Sequence, residues 1–114
     1  MAAGARLPKY LFGSRTRERF LKLLGLVEQT YVSEASELLG ESIVAIHRVA
    51  TDLERDNIIA SRLMGRTRVF ELNKRYQQYA KLRDLLRAMG EADPQLIRAL
   101  SSMRRRPRRA GKAI

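Results

Sequence analysis

Between Ser42 and Thr51 the chain reads SIVAIHRVAT, and two of these side chains can make strong, directional hydrogen bonds. Arg48 carries a planar guanidinium that can donate in a two-pronged fashion to guanine O6 and N7, or to a phosphate. His47 can donate to a phosphate or to a base acceptor. Ser42, Val44, Ala45 and Thr51 are small neighbours that permit close approach, and Val44 or Ala45 could touch a thymine methyl. A second cationic group follows in Arg62, Arg66 and Arg68, and another precedes it in Arg15, Arg17, Arg19 and Lys22. Other reactive constellations are missing from the pattern. Without cysteine there is no disulfide, thiol nucleophile or thiolate metal site, and a single histidine cannot build a histidine cluster. Carboxylates are scattered over helix surfaces, His47 has no obvious serine or cysteine partner, and no glycine-rich phosphate loop occurs. The expectation is a binding protein, not an enzyme, with no cofactor and no metal.

The charge balance points the same way. Lys and Arg number 23 against 12 Asp and Glu, a net +11 at pH 7. An excess of that size repels itself and usually reports a polyanionic partner. Six of the positive charges fall between Arg104 and Lys112, a stretch with no acid, which would add phosphate attraction without sequence preference. The 114 residues suit one small domain with tails. Apolar runs fall far short of the roughly 20 residues a spanning helix needs, and the N-terminal segment lacks a signal-peptide core. A cytoplasmic, nucleoid-associated protein is expected.

Stepping along the chain, residues 1–13 read as an arm, with Tyr10, Leu11 and Phe12 able to fold back. Ser14 offers a helix N-cap, and Phe20, Leu23, Leu24 and Val27 follow at helical spacing. The β-prone Thr30, Tyr31 and Val32 could add a third strand to a later hairpin. Ser33 is the expected cap of a second helix, with Ala35, Leu38 and Leu39 as its buried stripe and Gly40 as its left-handed end. Ser42 caps a third helix over 42–56, whose Ile46, Val49, Ala50 and Leu53 must face inward. Asn57 is an acceptable left-handed terminator. Residues 58–72 give two β-prone runs joined around Gly65, Arg66 and Thr67. Asn73 is the expected cap of a helix over 74–89, ended by Gly90. Along it Tyr76, Tyr79, Leu82, Leu86 and Met89 repeat nearly as a coiled-coil seam. Part of that stripe must cover the domain, and the remainder is expected to meet a second subunit in a homodimer. Asp93 and Pro94 open a last helix to about Met103, within a segment 91–103. The basic tail 104–114 has nothing to bury and is expected to be disordered.

That order of elements resembles a winged helix-turn-helix domain: mainly α with a small β-hairpin wing (α+β), and with extra C-terminal helices. Within SIVAIHRVATDLERDNII, the capping serine, buried isoleucine, His-Arg pair, leucine, acidic turn and apolar pair are similar to the recognition helix of ArsR-like regulators. The closest wording is in the winged helices attached to small nucleotidyltransferase domains. LFGSRTRERFLKLL upstream and the wing exit VFELN fit the same group, so the resemblance covers roughly Leu11 to Leu86. The chain departs from it at Asn57, where the family often has glycine. It also lacks the cysteines of metal-sensing members, and neither their metal switch nor the nucleotidyltransferase activity is expected to carry over.

The resemblance implies a transcriptional regulator of double-stranded DNA, with helix 42–56 in the major groove and wing 58–72 on the adjacent groove or backbone. Ser42, Val44, Ala45, His47, Arg48 and Thr51 are the candidate base-facing residues. Arg62, Arg66 and Arg68 would serve the wing, and Arg15 and Arg17 would clamp the backbone. Two alternatives stand beside it. One is an architectural protein held to DNA by charge alone, and the other is a protein-interaction module using the same helices.

Overall fold

The computed structural model describes residues 12–105. Five helices and a three-stranded sheet follow one another as α1 (Arg15–Val27), β1 (Gln29–Tyr31), α2 (Val32–Leu39), α3 (Ile43–Arg55), β2 (Ile59–Met64), β3 (Thr67–Leu72), α4 (Tyr79–Glu91) and α5 (Pro94–Arg105). The sheet is antiparallel in the order β1-β3-β2, so the expected third strand is present but spans Gln29–Tyr31, with Val32 already in α2. The winged-helix architecture anticipated above is therefore present, with α2 and α3 as the helix-turn-helix and β2–β3 as the wing.

Local chemistry accounts for most boundaries. The Ser14 and Ser42 hydroxyls accept from Arg17 N (3.2 Å) and Ala45 N (3.0 Å), each taking up a donor that the first helical turn leaves free. Gly40 ends α2 at φ 65°, where a side chain would be strained, and this lets α3 start within three residues. Asn57 also holds a left-handed φ of 63°. Gly65 supplies positive φ at the first central position of the β2–β3 turn, the type II′ pattern that matches ribbon twist.

The core gathers Phe20, Leu21, Leu23 and Leu24 from α1, Ala35 and Leu39 from α2, and Ile46, Ala50 and Leu53 from α3. Phe70 closes it edge-on to Phe20, with ring centroids 6.4 Å apart. Phe12 also packs against this core; Tyr10, Leu11 and the rest of the expected arm lie outside the described residues.

Several expectations need correction. The helix after the wing begins at Tyr79, not Lys74. Asn73 caps only a short turn, accepting from Arg75 N at 3.0 Å, while its amide donates to the Asn57 carbonyl at 2.9 Å. Tyr76 therefore precedes α4. Gly90 does not end α4 either: it is buried within the helix, where an added Cβ would stand 2.7 Å from Leu26 Cγ. The second helix starts at Val32, ahead of the expected Ser33 cap and without any side-chain cap; Thr30 Oγ1 donates to the first-turn Glu34 at 2.7 Å. The last helix runs on through Arg105, so two residues assigned to a disordered tail are helical; 106–114 lie outside the described residues.

The expected stripe on α4 covers the domain in part. Leu86 is wholly buried inside the single chain, packed into α1, and Tyr79, Leu82 and Met89 are partly buried against the same core. Part of the stripe thus covers its own chain, as expected, while Tyr76, Tyr79, Leu82 and Met89 keep part of their surface exposed.

Candidate nucleic-acid interface

Amphipathic spacing rotates α3 so that Ile46, Ala50 and Leu53 point inward, and the opposite face is left in water. Val44, His47, Arg48 and Thr51 are all exposed there, as is Ser42 at the cap. Ala45 is half-buried, at the edge of the face. Ile43, outside the predicted set, is exposed as well. An isoleucine three residues ahead of Ile46 fits the buried spacing equally well, so the sequence does not mark it as exposed. Ile43, Val44, His47, Arg48, Thr51 and Asp52 line one shallow concavity. Asp52 is ion-paired with Arg55, so the acid on this face is locally neutralised. No acid lies in the first turn of α3, where the helix dipole and free N–H groups favour a bound anion.

The wing is tied to the same helix. Ser61 Oγ donates to Glu54 Oε2 at 2.6 Å, and Arg68 Nη1 donates to Ser61 Oγ at 2.8 Å. This relay runs from the last turn of α3 across β2 to β3. At the base of the wing, Asn73 N donates to the Ile58 carbonyl at 2.9 Å, beside the Asn73–Asn57 bond. The ribbon is therefore tied to α3 along its strands and to the residues just after α3 at its base. Strand register sets Leu63 opposite Arg68 and Arg62 opposite Val69, with Arg66 in the turn. Arg62, Arg66 and Arg68 are all exposed. Among the described residues, Arg48, Arg62 and Arg66 make no hydrogen bond or ion pair through their guanidinium groups.

The α1 cations divide. Arg19 donates to Glu41 at 2.8 Å, pinning α1 to the turn between α2 and α3, and both side chains are mostly covered. Lys22 contacts Asp93 at 2.8 Å and thereby holds the start of α5. Arg15 is exposed and Arg17 half-buried at the α1 N-terminus, with no ion pair to α3 or the wing among the described residues. The structure thus ties the wing that carries Arg62, Arg66 and Arg68 to the last turn of the helix that carries the α3 candidates, and leaves Arg15 and Arg17 on a separate element.

Elsewhere, a cleft of about 500 Å³ lies between the end of α1 and α4. Its charges largely answer one another, with Arg87 facing Glu28 at 3.5 Å and Arg83 facing Asp84 at 3.1 Å. No helix among the described residues is long and apolar enough to cross a membrane.

No family model matches the chain, and no curated protein does. Solved structures do. Two substituted forms of ZitR from Lactococcus lactis superpose with a TM-score of 0.55 each. One is 20% identical over 69% of this chain, the other 18% identical over 81%. The chain spans 56% and 62% of the length of those two ZitR structures. The adhesin competence repressor AdcR from Streptococcus pyogenes gives 0.52 at 16% identity, covering 79% of this chain and 75% of that one. At such identities the likeness is one of fold, and that fold is the winged helix. It does not single out the ArsR-like group.

Proposed function

We propose that this chain is a sequence-specific transcriptional regulator of double-stranded DNA, with α3 in the major groove and the β2–β3 wing on the adjacent groove or backbone. One observation carries the reading. The exposed Val44, His47, Arg48 and Thr51 face shares a helix with Glu54, which fixes the arginine-bearing wing through Ser61 and Arg68. A helix of this kind can present its N-terminal half to base edges while its other face packs on the body. The unpaired Arg48, Arg62 and Arg66 supply attraction for phosphates without a competing internal acid. The name of one fold neighbour, the repressor AdcR, is consistent with this role.

A homodimer belongs to the proposal, because operator symmetry usually mirrors a two-fold protein. Leu86 is already buried within the chain, so the partly exposed Tyr76, Tyr79, Leu82 and Met89 are what the stripe has left to offer a second subunit. The same reading gives the protein a place on chromosomal DNA in the cytoplasm and leaves it without catalytic work.

Selection from random duplexes, followed by titration of the enriched site, tests the proposal. Arg48→Ala should cost roughly 1–3 kcal/mol on that site and much less on random DNA. Failure to enrich any duplex refutes sequence-specific binding. Binding with equal affinity for enriched and random DNA selects attachment by charge alone.

A further inference from the structure

Ile43 and Val44 stand together in the first turn of α3 with 55% and 67% of their surfaces in water. Val44 is the most exposed large apolar side chain among the described residues. Neither belongs to the core, because the buried stripe of α3 is complete in Ile46, Ala50 and Leu53, with Val49 packed against it. Helical spacing sorts this face into two rows. Val44 lies one turn ahead of Arg48, and Ile43 lies one turn ahead of His47, with Thr51 beyond. The concavity between the rows is bounded by apolar side chains at its N-terminal end and by hydrogen-bonding ones further along.

A partner for this surface must satisfy two demands at once. It must cover aliphatic carbon at the helix start, and it must offer negative charge beside it, to Arg48 one turn further on. No carboxylate in the first turn opposes such a partner. The major-groove edge of a thymine-bearing duplex meets both demands. Thymine places a C5-methyl group in the groove, flanked by phosphates, and no other unmodified base does.

We propose that Ile43 and Val44 form a methyl-reading site, through which the first turn of α3 selects thymines. Four residues of α-helix rise about 6 Å, close to two base-pair steps. With α3 lying along the groove, the thymine read by Val44 is therefore about two base pairs from the guanine read by Arg48. This deepens, and rests on, the reading of α3 as the DNA-facing helix.

Replacing thymine by deoxyuridine deletes only the methyl group and preserves pairing, so it probes this contact alone. Each thymine of the enriched duplex is exchanged in turn, and affinity is measured for the wild-type chain and for the Ile43→Ala/Val44→Ala variant. Both positions are exposed, and retention of the far-ultraviolet circular dichroism and melting temperature checks that the variant is folded. In the wild type, one or two positions should lose about fourfold in affinity per methyl, the change expected for burying one methyl-sized group. In the double variant the same exchange should have no effect. A wild type indifferent to every exchange overturns the inference, as does an equal penalty in both proteins. A double variant that binds every duplex as tightly as wild type assigns the apolar pair to a protein partner, which also overturns it. In each of those cases the DNA-binding proposal survives; failure to enrich a duplex in the first place refutes that proposal and this inference with it.

Discussion

Gly25 gives the sharpest test of how the domain is held together. It lies on α1 against α4, and an added Cβ would sit 2.7 Å from the Leu86 carbonyl carbon, 2.8 Å from Arg87 N and 2.8 Å from Leu86 Cβ. Ordinary van der Waals contact begins near 3.4 Å, so Gly25→Ala must push the two helices apart by several tenths of an ångström. Two of the obstructing atoms are backbone, and no rotamer change relieves them. Alanine gains about 0.5–1 kcal/mol over glycine in a helix interior. Overpacking costs about 1–3 kcal/mol, and rigid neighbours place this site at the upper end. A net loss of roughly 2 kcal/mol follows, or about 8–16 °C in melting temperature for a domain of this size. Urea and thermal unfolding followed by circular dichroism measure it, with sedimentation velocity on the same samples. The variant should lose stability while keeping the oligomeric state of the wild type. Unchanged stability would mean the backbones are not in contact. Dissociation into folded monomers would return the α4 stripe to an intersubunit role and refute the packing described above.

Two further outcomes are expected. Ser61→Ala removes the middle of the Glu54–Ser61–Arg68 relay. Stability should fall by about 1 kcal/mol, and amide exchange across residues 62–68 should accelerate; unaltered protection would show that the wing keeps its order without the relay. Burial acts to raise the pKa of Asp93, but the Lys22 ammonium and the Leu96 N–H outweigh it and hold the carboxyl below its ordinary value. A lowered folded-state pKa gives stability that is complete above the unfolded value, near 3.8, and is lost as pH falls through the folded one. The difference in urea midpoint between wild type and Asp93→Asn should thus be largest at pH 6 and shrink below about pH 4; a pH-independent difference would refute this linkage.

Much of this fold is legible before any coordinates, and the exceptions share a cause. The caps at Ser14 and Ser42, the left-handed Gly40 and Asn57, and the inward spacing of Ile46, Ala50 and Leu53 depend on neighbours within one helical turn. Sequence reading handles such local rules well. Asn73 fails because its amide is used by Asn57, 16 residues away, which closes the wing and delays α4 to Tyr79. Gly90 reads as a stop by composition, yet its role is close approach to Leu26. Periodicity at Leu86 reveals that something covers it but not whether the cover is α1 or another subunit. The exposed face of α3 was visible in outline for the same local reason. Ile43 was not, since its exposure depends on how α3 is rotated on the core. Arg19 and Lys22 resemble Arg15 in the sequence, and only Glu41 and Asp93, brought in by tertiary structure, separate structural cations from surface ones.

That separation bears on what net charge means here. A +11 balance taken alone fits any polyanion. Once Arg19, Lys22 and Arg55 are matched to carboxylates, they no longer act as free positive charges. Arg48, Arg62 and Arg66 have no such match among the described residues. These same elements carry Ile43, Val44, Leu63 and Met64, each more than half exposed. Exposed cations and aliphatic groups side by side on α3, and again on the wing, are poorly served by water and by simple counterions, because counterions leave the carbon wet. A partner that presents fixed phosphates around an apolar edge serves both. The proposed duplex DNA partner is favoured less by the total charge than by where charge and exposed carbon coincide.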